Sequence, residues 1–110
     1  MIYKELPADG IPVTQASDIR SSDDIILNAD VVVVGSGTGG AVIAHELAVA
    51  GKSVIILEAG RYVPSSQFTE DMAWALENLY QDVGTQTNTV GDTVVLQGRC
   101  VGGSSVVSAT

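Results

Sequence analysis

Basic residues are scarce in this chain: five lysines and arginines stand against thirteen aspartates and glutamates, a formal net charge of −8. The acids are spread through all three thirds of the sequence and no basic stripe exists, so no nucleic-acid backbone and no anionic membrane surface is an expected partner. Cysteine occurs once, at Cys100, which excludes an intrachain disulfide framework and a cysteine-rich metal site. No metal site is assigned. Histidine also occurs once, at His45. Residues 1–29 carry polar or charged side chains every few positions, so they lack the apolar core of a signal peptide, a twin arginine and a membrane-spanning run. A cytoplasmic location is the resulting expectation. Apolar residues are plentiful at 45%, enough for a packed core in the one ordinary domain that 110 residues allow.

The stretch from Asp30 to Gly60 reads as one strand, helix and second strand. Val31 to Val34 are four β-branched residues in a row, the pattern of a strand buried on both faces of a parallel sheet. Gly35, Gly37 and Gly40 follow at once. In a dinucleotide site the first such glycine makes a tight turn, the second lets backbone approach a pyrophosphate, and the third lets the helix pack on the strand. From Gly40 to about Ala50, Ile43, Ala44, Leu47 and Gly51 recur at helical spacing, with small Ala44 and Ala48 letting the helix lie close to the sheet. Gly51 is the expected left-handed cap, and Ser53 to Leu57 form a second apolar run ending on Glu58. A carboxylate there, ~20 residues beyond the glycines, is placed to accept both ribose hydroxyls of an adenosine. The competing reading is a βαβ unit whose glycines only shape a turn. The fold class is therefore α/β, a Rossmann-like βαβ unit that is incomplete at its C-terminal side.

Pro7, Gly10 and Pro12 punctuate the first 29 residues, and Ser21, Ser22, Asp23 and Asp24 precede the apolar run Ile25 to Leu27. This predicts a lead-in arm with one edge strand, covering the sheet or a partner domain. After Glu58, Ala59 and Gly60 turn the chain, and Arg61 either reaches back to phosphates or acids or sits solvated. Pro64, Ser65 and Ser66 mark a loop. Thr69 is an expected N-cap with Glu70 and Asp71 in the first helical turn, and Met72, Leu76, Leu79 and Tyr80 share one face, with Trp74 to the side. That set reads as core, or as a lid buried against further sequence, rather than as a cofactor box. Residues 86–97 alternate as a hairpin does, with Gly91-Asp92 as its two-residue turn. They lead into a second glycine-rich passage, Gly98 to Ser105, whose backbone amides and hydroxyls are expected to close on an anion; alone, such a run is usually a linker.

VVVVGSGTGGAVIAHELAVAGKSVIILEAGR together with GRCVGGSSVVSA resembles the N-terminal flavin-binding part of a glucose-methanol-choline (GMC) oxidoreductase. The resemblance covers about Asp30 to the end and implies FAD. It puts Gly35, Ser36, Gly37, Thr38, Gly39 and Gly40 at the pyrophosphate and Glu58, Ala59 and Gly60 at the adenosine ribose. Val101, Gly102, Gly103 and Ser104 then lie along the pyrophosphate and the flavin end. Ser108 stands where family members usually carry asparagine, and it lacks the amide's reach and second donor. Some members bond a histidine near this motif to the flavin; Gln97 precedes the motif here, so a dissociable FAD is expected. His45, beside Val42, Glu46 and Val49, reads as a solvated helix residue, and Cys100 as a packing residue or a thiol near the flavin.

By the same resemblance, a parent enzyme would oxidise a small-molecule alcohol by hydride transfer to FAD, with its catalytic base in sequence beyond Thr110. No residue of this chain is assigned as catalytic. The expectation is a fragment, residues 1–29 an arm and 30–110 the beginning of the FAD-binding domain, inactive by itself. An NAD-binding dehydrogenase domain and a non-catalytic nucleotide-binding module are the alternatives. The NAD domain would share Gly35, Gly37, Gly40 and Glu58 without needing the passage at Gly102.

Overall fold

Val31–Val34 form strand β1, because four β-branched side chains in succession favour the extended backbone. The computed structural model describes residues 13–20, 22 and 24–107. Helix α1 runs Thr38–Val49 and strand β2 Val54–Leu57. The two strands pair parallel, Val31 with Val54 through Val34 with Leu57, and are the only sheet among the described residues. This is the predicted βαβ unit. Gly51 takes φ +85°, and the chain closes α1 there with two bonds, Gly51 N–H to Ala48 O and Lys52 N–H to Leu47 O, both 3.0 Å. The expected left-handed cap is thus a Schellman turn. Below the strands, Asp30 Oδ2 accepts from the backbone and hydroxyl of Ser53 at 2.8 and 3.0 Å, and the Asp30 N–H donates back to Ser53 Oγ. The Ser53 N–H, then its hydroxyl, lower the Asp30 pKa.

Several boundaries differ from expectation. α1 starts at Thr38, two residues before Gly40, since Gly37 is extended (φ −65°, ψ −177°) and its carbonyl accepts the Ala41 N–H at 2.8 Å. The face on the sheet is narrow. Ala44 is buried, whereas Ala48 and Ile43 turn outward, Ile43 being 56% exposed. Ser53 is drawn out of β2 by its clip to Asp30. Ile25 to Leu27 form no strand and all three are exposed. Pro7, Gly10, Pro12, Ser21 and Asp23 lie outside the described residues.

Helix α2, Met72–Leu79, is capped by Asp71 and not by Thr69: Asp71 Oδ1 accepts the Ala73 N–H at 2.9 Å, and Thr69 Oγ1 takes the Asp71 N–H at 3.2 Å. Both residue types cap well, but only Asp71 stands next to the first helical residue. Met72 is 64% exposed, and Tyr80 has already left the helix at φ −99°, ψ 147°. Of the predicted face Leu79 is buried, and it clusters with Val63 and Cys100 under Trp74, Ala75, Tyr80, Val106 and Val107. The reading of this helix as core holds for Leu79, Trp74 and Tyr80 and fails for Met72.

Residues 86–97 fold back as a loose hairpin without a ladder. Thr87 and Val94 form one isolated antiparallel bridge, and Asn88 Oδ1 accepts from the N–H groups of Gly91, Asp92 and Thr93. A side chain serving three amides holds a wider loop than the expected Gly91-Asp92 turn. The chain then runs between two neighbours: Arg99 N–H donates to Leu79 O at 2.7 Å and Val101 N–H to Arg61 O at 3.0 Å. A single helical turn, α3, Ser104–Val107, closes the described chain.

Candidate functional site

The site is built where the β1–α1 loop, the tip of β2 and the passage before α3 meet. Gly35 takes φ +94°, a conformation that side chains avoid, and its N–H donates to Leu57 O at 2.7 Å. Gly40 is pressed so close to the loop that a Cβ would fall 2.1 Å from Gly35 O. A Cβ on Gly37, by contrast, would meet nothing within 4 Å, so that backbone is open to a ligand. The turn at Gly35 and the close approach at Gly40 are the ones the sequence predicts.

No side chain caps α1 and no acid occupies its first turn. Among the described residues, nothing accepts the N–H groups of Thr38, Gly39 and Gly40. Unsatisfied amides and the positive end of a twelve-residue helix therefore face outward beside Gly37. This end of the fold suits a phosphate.

Glu58 stands at the tip of β2 with both oxygens engaged. Oε2 accepts the Ser36 N–H at 2.9 Å and the Ser36 hydroxyl at 2.7 Å, and Oε1 accepts the Gly60 N–H at 2.8 Å. Burial alone would raise its pKa, but the hydrogen bonds from Gly60, Ser36 and Ala59 together outweigh it and hold the carboxyl below its ordinary range. A carboxylate has about four lone-pair sites, and the Ser36 and Gly60 donors, with Ala59 beside them, take most of these, so two ribose hydroxyls fit only with rearrangement. Gly60 is not at positive φ; it is needed because a Cβ there would lie 2.3 Å from backbone atoms of Arg99 and Cys100. Ala59 is exposed beside it.

The second glycine passage differs most from expectation. The N–H groups of Val101, Gly102 and Gly103 are all bonded within the chain, to Arg61 O, Ser36 Oγ and Cys100 O respectively. They do not close on an anion. Gly102 (φ +99°) and Gly103 (φ +62°) instead bring this backbone against the first loop, where a Cβ on Gly103 would stand 3.0 Å from Gly37 Cα. The Ser104 hydroxyl accepts the Gly98 N–H at 3.1 Å and the Ser105 hydroxyl donates to Gly102 O at 2.6 Å. Gly35–Gly40, Glu58–Gly60 and Val101–Ser104 are thus brought together as the sequence predicts. Ser108 lies outside the described residues.

Cys100 is 1% exposed, and its thiol pKa is raised by burial and then by the Glu58 charge, so it packs rather than reacts. Arg61 is exposed and its Nη2 donates to Asn78 Oδ1, so it matches the solvated surface reading and not a reach to phosphates or acids. His45 is exposed on α1, 3.6 Å from Glu46. Among the described residues no cluster of His, Cys, Asp or Glu could hold a metal, and no helix is long and apolar enough to cross a membrane.

One part of the site had no signal in the sequence. Residues 13–17 of the arm face Ser36, Glu58 and Val101 across a cavity of about 480 Å³, with Val54 and Ile56 as an apolar wall. Gln15 Nε2 fastens this segment to Tyr62 O at 2.9 Å. The Tyr62 hydroxyl is buried without a partner. A cavity with an apolar wall and a carboxylate at one end has the chemistry to take an adenosine.

Residues 30–97 match the FAD binding domain family. A long-chain-alcohol oxidase of Arabidopsis thaliana is 42% identical over 78% of this chain and 12% of its own length, and a second from that plant is 36% identical over 97% and 15%. The second match covers too much of the chain to omit Gly98–Ser105. A GMC-type oxidoreductase of Sinorhizobium fredii is 37% identical over 80% of this chain and 18% of its own length. The chain belongs to the FAD-binding family of GMC oxidoreductases. Its cofactor is FAD, and neither the NAD nor the scaffold alternative is favoured by these matches. This GMC chain spans between a tenth and a fifth of the length of the relatives just named. No solved structure matches it.

Proposed function

We propose that this GMC chain holds the adenosine and pyrophosphate of FAD in a flavoenzyme that oxidises an alcohol. The observation that carries the reading is the pairing of an unoccupied set of donors, the amides of Thr38, Gly39 and Gly40, with the Glu58 carboxylate at the tip of the neighbouring strand. The α1 terminus takes the pyrophosphate, with Gly35, Ser36 and Gly37 shaping the loop. Glu58, with Ala59 and Gly60 beside it, receives the ribose. Val101, Gly102, Gly103 and Ser104 close the loop from the other side. Bound there, FAD supplies the acceptor for a hydride from an alcohol carbon. Support for an alcohol as substrate comes from the names of the plant relatives, which are long-chain-alcohol oxidases.

The polypeptide encoded by the complete reading frame, once purified, is expected to be yellow and to release its flavin on denaturation. Absorbance of the protein and of the supernatant after precipitation checks both points. A colourless product that takes up NAD in titration would sink the FAD reading, and a flavin retained after denaturation would sink the dissociable one.

Glu58→Gln is expected to lower FAD affinity by ~10-fold or more, measured by titrating apoprotein with FAD. Glutamine loses the charge, and its amide nitrogen must oppose either the two Ser36 donors or the Gly60 N–H. Weakened charge-assisted bonds and one unsatisfied donor cost about 1–3 kcal/mol, and ~1.4 kcal/mol is a factor of ten. Unchanged affinity would mean that Glu58 does not meet the ribose.

A further inference from the structure

We infer that Ser36 is a positioning residue of the FAD site: its hydroxyl joins the Glu58 carboxylate to the Gly102 amide and so locks the second glycine passage onto the first. This rests on the reading that FAD lies against both passages. Ser36 is the buried polar residue of the described chain, 6% exposed, and a hydroxyl taken out of water needs partners. It has one on each side. The hydroxyl donates to Glu58 Oε2 at 2.7 Å and accepts the Gly102 N–H at 3.1 Å, a link between residues 66 apart in sequence.

Each end of the link is specific to the site. At one end Ser36 gives Glu58 two hydrogen bonds, from its N–H and its hydroxyl, which fix the carboxylate's orientation. At the other end it takes the amide of a residue at φ +99°, just before Gly103 rests on Gly37. Without the hydroxyl, the partly buried Gly102 amide is left without an acceptor. The passage is then free to lift from Gly37, the backbone left open for the pyrophosphate. Alanine fills the same space and supplies neither bond.

The link also predicts a pH effect. The hydrogen bonds from Ser36 are among those that keep Glu58 ionised, so losing the hydroxyl moves its pKa upward. The titratable group that feels Glu58 is Cys100, whose thiol is raised by burial and then by the Glu58 charge and so stays neutral in acid. Arg61 points its guanidinium to Asn78. A carboxylate that protonates at higher pH gives up its charge-assisted bonds to ribose at higher pH, so FAD release on acidification starts earlier.

The test uses the polypeptide of the complete reading frame as Ser36→Ala, Ser36→Cys, Glu58→Gln and the Ser36→Ala/Glu58→Gln double variant. FAD affinity and the pH midpoint of flavin release are read for each. Ser36→Ala is expected to bind FAD on the order of tenfold more weakly, with its release midpoint moved to higher pH. Ser36→Cys fills the cavity with a weak donor and is expected to behave alike, which keeps the test available if alanine impairs folding. Because Ser36 acts partly through Glu58 and partly through Gly102, the double variant should bind more weakly than Glu58→Gln alone, but by less than the full factor that Ser36→Ala costs in the wild type. Wild-type affinity and midpoint in Ser36→Ala, or fully additive effects in the double variant, would overturn the inference alone. A wild-type protein that takes up no FAD would overturn the cofactor site and the inference together.

Discussion

Gly40→Ala is expected to destabilise the protein by roughly 3 kcal/mol and to abolish FAD uptake, whereas Gly39→Ala, one residue earlier, is expected to stabilise the apoprotein by up to about 1 kcal/mol. The contrast follows from what a methyl group meets. At Gly40 it would lie 2.1 Å from Gly35 O and 3.3 Å from a Val33 methyl. Gly35 cannot retreat, because its N–H is tied to Leu57 O and its φ of +94° is already a special conformation. The remaining relief is for the N-terminus of α1 to lift away from β1. That displaces the amides of Thr38 and Gly39 that make the anion site. At Gly39 a methyl meets nothing within 4 Å, and alanine is the better helix former. Denaturant midpoints of the two variants, read with FAD absorbance, check the pair. A Gly40→Ala protein as stable and as yellow as the wild type would show that α1 does not press on the loop as described.

The βαβ unit was legible because its signals are local. A β-branched run, glycines at fixed offsets, a glycine at the helix end and an acid after the second run are each read within a few residues, and β1, α1 and β2 appear there. Gly40 could be assigned its close approach from spacing alone. What spacing could not supply were partners far along the chain. The Ser36 bond to Gly102 and the approach of Gly60 to Arg99 and Cys100 depend on how the later half folds back, and nothing near Ser36 or Gly60 signals it. The second glycine passage shows the same limit. Its glycines were expected to free amides for an anion, but left-handed φ serves equally to turn a backbone into contact with another, and the neighbours decide which. Helix faces failed for a related reason. Met72 and Ile43 have the periodicity of core residues, yet no described element covers them. The arm was read only as a cover, and its place at the cavity involves Gln15, whose side chain is bonded to Tyr62 47 residues away.

Residues 1–110 prepared alone are expected to aggregate, to bind FAD weakly or not at all and to oxidise no alcohol. The sheet has two strands, and a two-stranded sheet is at best marginal in water without further packing. Val34 on β1 is 84% exposed, and Val32 beside it is also exposed. Leu57 and Ile56 on β2 are open as well, and on α1 so are Val42, Ile43 and Val49, the last at 73%. A helix apolar on several sides belongs in an interior. Against this, the buried apolar residues among those described are Ala44, Val63, Leu79 and Cys100. At roughly 1.5–3 kcal/mol for each large side chain fully buried, so small a core falls far short of offsetting the conformational entropy of ordering the chain. Among the described residues β1 pairs only with β2, and an edge left without a partner there can recruit a second copy. Chemistry is missing too: the one histidine lies exposed on α1, and Glu58 is held by Ser36 and Gly60 at the ribose end, so no described group stands ready as a base. Size-exclusion chromatography, a thermal melt and an alcohol-oxidation assay with added FAD decide the matter. A monomer that melts cooperatively and turns over alcohol would show that these 110 residues are sufficient, and that the base lies within them.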